Sequence, residues 1–178
     1  MKIGVFCSAN SNIDPDFFTL TEELGQWIGR QGHSLVFGGC DMGLMECVAQ
    51  AARAQGALTI GVIPTLIEER GHVSPNVDVE IRCDNLSDRK ELLIVKSDVL
   101  IALPGGTGTL DEIFTTAAAA TIGYHQKPLF LYNMKGFWNP LTALLDKLTA
   151  QGMIRGNWRT RITPVDSLSA IEAAISRM

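Results

Sequence analysis

No apolar run in this chain of 178 residues approaches the roughly 20 residues that a membrane-spanning helix needs. The opening segment, Met1-Lys2-Ile3-Gly4-Val5-Phe6, lacks the long apolar stretch of a signal peptide and reads as the start of a strand. The expected location is therefore the cytoplasm, and a membrane partner is not expected. Basic clusters are missing too. Lys and Arg number 15 against 19 Asp and Glu, a net charge of −4, so nucleic acid, which is gripped through Lys/Arg patches, is excluded as a partner. Cysteines are few: Cys7, Cys40, Cys47 and Cys83 form no CxxC pair, and no histidines lie at zinc-finger spacing. That pattern excludes a zinc site and reads as reduced, buried thiols; no metal is expected.

What remains is the composition of one globular domain, 46% hydrophobic and 19% charged. Short apolar runs alternate with stretches of helical period, the signature of βαβ units and a mostly parallel sheet. Strands are expected at Ile3–Cys7, Leu35–Phe37, Leu58–Ile63, Val77–Arg82, Val99–Leu103, Leu129–Tyr132 and near Arg161–Pro164. Helices are expected at Pro15–Gln31, with Asp14 as N-cap, and at Met42–Gln55, Leu86–Lys96 and Thr109–Gly123. Two more are expected near Phe137–Gln151 and at Ser167–Arg177. The segment Thr65–Asn76 shows no period and reads as an irregular excursion. No repeat or linker divides the chain. The expectation is a single nucleotide-binding α/β domain over residues 1–178, a Rossmann-like, doubly wound sheet with helices on both faces.

The strongest local signal is the buried strand Val99–Leu103 running straight into Pro104-Gly105-Gly106-Thr107-Gly108-Thr109 and then a helix. Glycines let backbone approach a ligand without a Cβ in the way, and the first N–H groups of the helix favour an anion. Thr107 and Thr109 add hydroxyl donors. The loop lacks the lysine of a Walker A sequence and the spacing of a GxGxxG fingerprint, which argues against ATP-driven chemistry and NAD. Gly105, Gly106, Thr107, Gly108 and Thr109 are thus the candidate phosphate ligands.

Glu112 follows three residues after Thr109. Its placement suits a helix-dipole residue or, equally, a group that holds a sugar hydroxyl and orients water. Upstream, Arg89-Lys90 places two cations near the start of a helix, against its dipole. A surface ion pair is the ordinary role; an anion at the nearby loop would give them another. Gly38-Gly39-Cys40-Asp41-Met42-Gly43 and Cys7-Ser8-Ala9-Asn10-Ser11 are two further junctions at strand carboxyl ends, making Ser8 and Gly39 candidate binding positions. His125 reads as a hydrogen-bonding loop residue. Phe137 and Trp138 read as packing or subunit contacts, and Ala117–Ala120 as a surface for close helix approach.

Together these residues resemble the Lonely Guy family of cytokinin-riboside 5′-monophosphate phosphoribohydrolases, many of them once labelled lysine decarboxylases. The resemblance is carried by Gly38-Gly39-x-x-x-Gly43-Leu44-Met45, Gly61-Val62-Ile63-Pro64, Arg89-Lys90 and Pro104-Gly105-Gly106-Thr107-Gly108-Thr109-x-x-Glu112. It extends through Gly123-x-His125-x-Lys127-Pro128 and Gly136-Phe137-Trp138-Asn139. It implies hydrolysis of the bond between base and ribose 5-phosphate. Glu112 and Arg89 would be catalytic, Lys90 would add to the positive field, and Gly105 to Thr109 would hold the 5′-phosphate. Ser8 would line the nucleotide site, and Glu69 is a further possible match in the irregular segment. It also implies a homodimer or higher homo-oligomer with the site near the subunit contact, and no cofactor. Thr107, Thr115 and Asn85-Leu86-Ser87-Asp88 depart from the family pattern, so cytokinin preference does not carry over with the reaction core. A pyridoxal decarboxylase would need a Schiff-base lysine, and no lysine here stands in such a setting. The rival reading is a carrier of a nucleotide or phosphorylated cofactor without turnover, which would have little use for the Arg89 and Glu112 pair.

Overall fold

The computed structural model describes residues 1–178. Seven strands, β1 (Lys2–Phe6), β2 (Ser34–Phe37), β3 (Thr59–Pro64), β4 (Val79–Cys83), β5 (Val99–Ala102), β6 (Leu129–Tyr132) and β7 (Thr163–Val165), form one sheet in the order β4-β3-β2-β1-β5-β6-β7. Every pairing is parallel, so the sheet is wholly rather than mostly parallel. The helices are α1 (Pro15–Arg30), α2 (Gly43–Ala54), α3 (Thr65–Glu69), α4 (Leu86–Lys96), α5 (Thr107–Thr121), α6 (Asn139–Ala150) and α7 (Leu168–Ile175). None is long and apolar enough to cross a membrane.

The strand sequences dictate two cores, because successive side chains leave opposite faces of a strand. Ile3, Val5, Leu35, Phe37, Val99 and Ile101 pack with Leu24, Ile28, Leu44 and Val48 of α1 and α2 and with Ile171 of α7. On the other face, Phe6, Val36, Leu100 and Ala102 meet Leu93 of α4, Ile113 of α5 and Leu141 of α6. Burial on both sides is why the strands read as continuous apolar runs. Asp14 caps α1 as expected, its Oδ1 accepting from Asp16 N–H at 3.0 Å. Asn85 caps α4, accepting from Ser87 and Asp88 N–H at 2.8 and 3.0 Å.

The order of strands reverses between β1 and β5, which places the ligand crevice outside their carboxyl ends. Two elements there differ from expectation. Helix α5 begins at Thr107, two residues early, so Thr107, Gly108 and Thr109 are its first turn rather than a loop. The irregular segment after β3 contains the five-residue helix α3, none of whose residues is buried. Beyond α3 the chain docks on the second glycine junction: Cys40 and Val73 form an antiparallel bridge, and Ser74 N–H donates to Gly39 O at 2.8 Å.

Candidate active site

At the reversal, β1 and β5 hand their chains to adjoining loops. Leu103 N–H still donates to Phe6 O at 2.8 Å, and Ser8 N–H reaches Pro104 O at 3.1 Å. Ser8 also accepts from Leu44 N–H through its carbonyl at 2.9 Å, which ties in the start of α2. Its Oγ accepts from Asn10 N–H at 3.0 Å. Ser8 is therefore the knot joining three loops at the crevice floor.

Above it, α5 starts from Gly106, which supplies no side-chain cap. The first N–H groups of the helix are left for an external partner, and the dipole prefers that partner to be an anion. The glycines divide by role. A Cβ on Gly105 would run into the Thr109 side chain, whereas one on Gly106 or Gly108 would meet nothing within 4 Å. Gly105 makes room for Thr109, itself 3% exposed, and Gly106, Thr107 and Gly108 form the open face.

Glu112 lies one turn further along and is 7% exposed. Burial pushes its pKa up to about 7 from 4.5; nearby Arg89 pulls it back down, Asp111 adds to the rise, and Lys90 opposes it. A buried carboxyl group whose pKa is pushed near neutrality beside a cation marks a candidate working group. Arg89 approaches from α4 without pairing with it. Its Nε donates to Val62 O at 3.3 Å and its Nη2 to Gly38 O at 2.9 Å, so two strand ends hold the guanidinium in place. Gly38 is glycine because a Cβ there would fall on Nη2 of Arg89. Beneath them the Cys7 thiol is raised well above its usual pKa by burial first and by Glu112 second, which leaves it protonated and inert.

The structure thus brings Arg89, Glu112, Ser8 and the open face of the glycine turn to one crevice. Five expected site residues stand differently: Gly105 and the Thr109 side chain pack against each other below the open face, and Lys90, Gly39 and Glu69 are placed elsewhere. Lys90 spends its Nζ on both carboxylate oxygens of Asp111, at 2.8 Å each. Gly39 has φ +71 and faces Ile63, with its carbonyl engaged by Ser74, so it shapes the junction. Glu69 ends α3, exposed. Gly38 and Asp111 were missed by sequence reasoning. Gly38 carried a signal as the first glycine of its junction; Asp111 carried none, because its partner lies on another helix. His125 is the loop residue it was expected to be: its Nε2 lies 3.1 Å from Thr116 O, and its Nδ1 accepts from Lys127 N–H.

A sequence family described as "possible lysine decarboxylase" matches residues 45–175. A cytokinin riboside 5′-monophosphate phosphoribohydrolase of Mycobacterium tuberculosis is 35% identical over 166 residues, covering 93% of this chain and 88% of the relative. The chain belongs to the Lonely Guy family. An Arabidopsis thaliana member with the same activity name is 33% identical over 153 residues, covering 86% of this chain and 70% of its own. Among solved structures, the molybdenum cofactor binding protein of Rippkaea orientalis superposes with a TM-score of 0.74 at 26% identity, covering 99% of this chain and 95% of that one. The molybdenum cofactor carrier of Chlamydomonas reinhardtii shares the fold, with a TM-score of 0.76 at 24% identity over 99% and 96% of the two chains.

Proposed function

We propose that this Lonely Guy protein hydrolyses the N-glycosidic bond of a nucleoside 5′-monophosphate, a cytokinin riboside monophosphate or an AMP-like nucleotide, to free base and ribose 5-phosphate. The observation that carries the reading is a buried carboxyl, Glu112, one helical turn below an open, uncapped helix N-terminus and beside the anchored Arg89. The 5′-phosphate would lie on the N–H groups at Gly106–Thr109. That places the ribose over Glu112. As the C1′–N bond breaks, its electron pair leaves with the base and positive charge grows on the sugar; the Glu112 carboxylate stabilises that charge and orients the water. The water oxygen bonds to C1′, and one of its protons ends on the departing base. Arg89, whose Nη1 is not engaged by the carbonyls that hold Nε and Nη2, would assist that departure.

The decarboxylase description does not fit these residues. Schiff-base chemistry needs a lysine amine free to condense, and the lysine at this crevice is locked onto Asp111. The carrier reading draws on the likeness to the Rippkaea orientalis cofactor-binding protein, but a carrier gains nothing from a buried carboxyl aimed at a sugar. The four unpaired thiols suit a reducing, cytoplasmic setting.

The test is incubation with a panel of nucleoside 5′-monophosphates, isopentenyl-adenosine monophosphate included, followed by chromatography for free base. The wild type should release base and Glu112→Gln should lose at least about a hundredfold in rate, as removal of one preorganised electrostatic group does elsewhere. Tight nucleotide binding without release from any of them would give the carrier reading instead.

A further inference from the structure

Across the sheet the strands run β3-β2-β1-β5. The glycine turn continues β5, whereas the Arg89 guanidinium is held at Gly38 O, just past β2, and at Val62 O in β3. A nucleotide with its phosphate on the turn and its sugar beside Glu112 and Arg89 therefore extends across β1 toward β2 and β3. Its base comes last. The wall on that side is the chain after α3, which runs back over the junction that follows β2. Asp41 N–H donates to His72 O at 3.3 Å, Cys40 and Val73 form the antiparallel bridge, and Ser74 N–H donates to Gly39 O at 2.8 Å. Asn76 Nδ2 then donates to Glu46 Oε1 at 2.7 Å, and Arg53 Nη1 to Pro75 O at 3.0 Å, so the wall is fastened to α2 as well.

This wall carries a carboxylate–imidazole pair. His72 Nδ1 lies 3.2 Å from Asp41 Oδ1, and its Nε2 has no partner in the protein. The two side chains are 44% and 32% exposed, so the pair stands at the rim, within reach of a ligand. A carboxylate only accepts, so the neutral ring carries its proton on Nδ1 and leaves Nε2 as an acceptor. An acceptor held at a fixed place selects a donor. We propose that Asp41 and His72 form a base-reading pair, in which His72 Nε2 accepts from an exocyclic N–H group on the base of the nucleotide. The substrate class is then a 6-aminopurine nucleotide, N6-alkylated or not, since one alkyl group still leaves one N–H. This rests on the phosphoribohydrolase reading. Asp41 is the positioning residue: it fixes the tautomer and the orientation of the ring, while backbone bonds fix the two stretches of chain that carry the pair.

The experiment compares wild type, His72→Phe, His72→Gln and Asp41→Ala. The probes are AMP and purine riboside 5′-monophosphate, which lacks the 6-amino group. Calorimetry gives Kd for both nucleotides and for ribose 5-phosphate, and steady-state kinetics give KM and kcat. The wild type should prefer AMP by about five- to tenfold in Kd and KM, the value of one hydrogen bond. His72→Phe keeps a ring and loses the acceptor. It should erase the preference by weakening AMP alone, with the other two ligands changed less than about twofold and kcat less than about threefold. Asp41→Ala should lose most of the preference, and His72→Gln, whose amide carbonyl accepts, should keep most of it. A preference for AMP that survives His72→Phe would overturn the proposal. So would an equal loss on all three ligands, which would make the pair a support of the wall, and so would a wild type with no preference or no binding. Turnover is a separate readout. If the wild type binds AMP selectively but hydrolyses neither nucleotide, the glycosidase reading falls, and the effect of His72→Phe on the two Kd values still decides the role of the pair.

Discussion

Glu112 is a carboxyl whose environment opposes the charge its task requires. Burial lifts its pKa to about 7, and the unfolded chain would ionise it near 4.5. Between those values the folded state holds a proton that the unfolded state has lost, so stability falls as pH rises through that window. Above pH 7 the shortfall is on the order of 3 kcal/mol, from about 1.4 kcal/mol per unit. Glu112→Gln removes it: the variant should match the wild type in thermal stability near pH 4.5, exceed it increasingly up to about pH 7 and keep a constant lead above that. A wild type as stable as the variant at pH 8 would mean that Glu112 is better solvated than the fold indicates. Activity should run the other way. In the proposed reaction the rate needs the carboxylate, so kcat/KM should climb through about pH 7 on its acid limb. Stability and turnover thus trade at one side chain, as they do where a working group is held in a costly state.

At the scale of elements, the start of α5 joins sequence to function. Gly108 sits in the first turn of a helix, where glycine is less favourable than alanine by about 0.5–1 kcal/mol, and a Cβ there would touch nothing in the protein. Gly108→Ala should therefore stabilise the fold while placing a methyl group where the phosphate approaches. The expected outcome is a higher melting temperature with KM raised about tenfold or more; an unchanged KM would move the phosphate away from this turn. The same stretch shows what a sequence conveys. Val99–Leu103 and the other strands were legible because burial on two faces leaves an apolar run that ends on glycine or proline. The start of α5 was misplaced because Thr107-Gly108-Thr109 has poor helix propensity, and the helix is held there by Ile113 and Thr116 packed inward, not by its first residues. Helix α3 was not legible at all, since it buries nothing and so has no period to betray it. Arg89 and Glu112 stood out as candidates through spacing and resemblance, and the fold brings them to one crevice. The Lys90–Asp111 tie was not, because it crosses between helices 21 positions apart.

For the whole molecule, the two faces of the sheet are covered unequally. Helices α1 and α2 lie against each other over the first core, with Cys47 Sγ contacting Phe18 O at 3.4 Å, while α4 presents Val95 at 60% exposure and the chain just past α5 presents Ile122 and Tyr124 at 70% and 81%. Phe114 of α5 is 41% exposed. Val95 and Tyr124 line one hollow and Phe114 and Ile122 another, and exposed apolar surface of this kind marks a contact with another protein. Here it lies on and just past the same two helices that carry Arg89 and Glu112, so a second copy of the chain seated on it would stiffen both. On that argument the protein should sediment at micromolar concentration as a multiple of its 19.3 kDa subunit. Val95→Glu with Ile122→Glu should give a monomer, since like charges would face each other across a two-fold contact. If the contact supports the site, that monomer should also lose turnover while keeping its fold by circular dichroism. A wild type that sediments as a monomer would remove the contact.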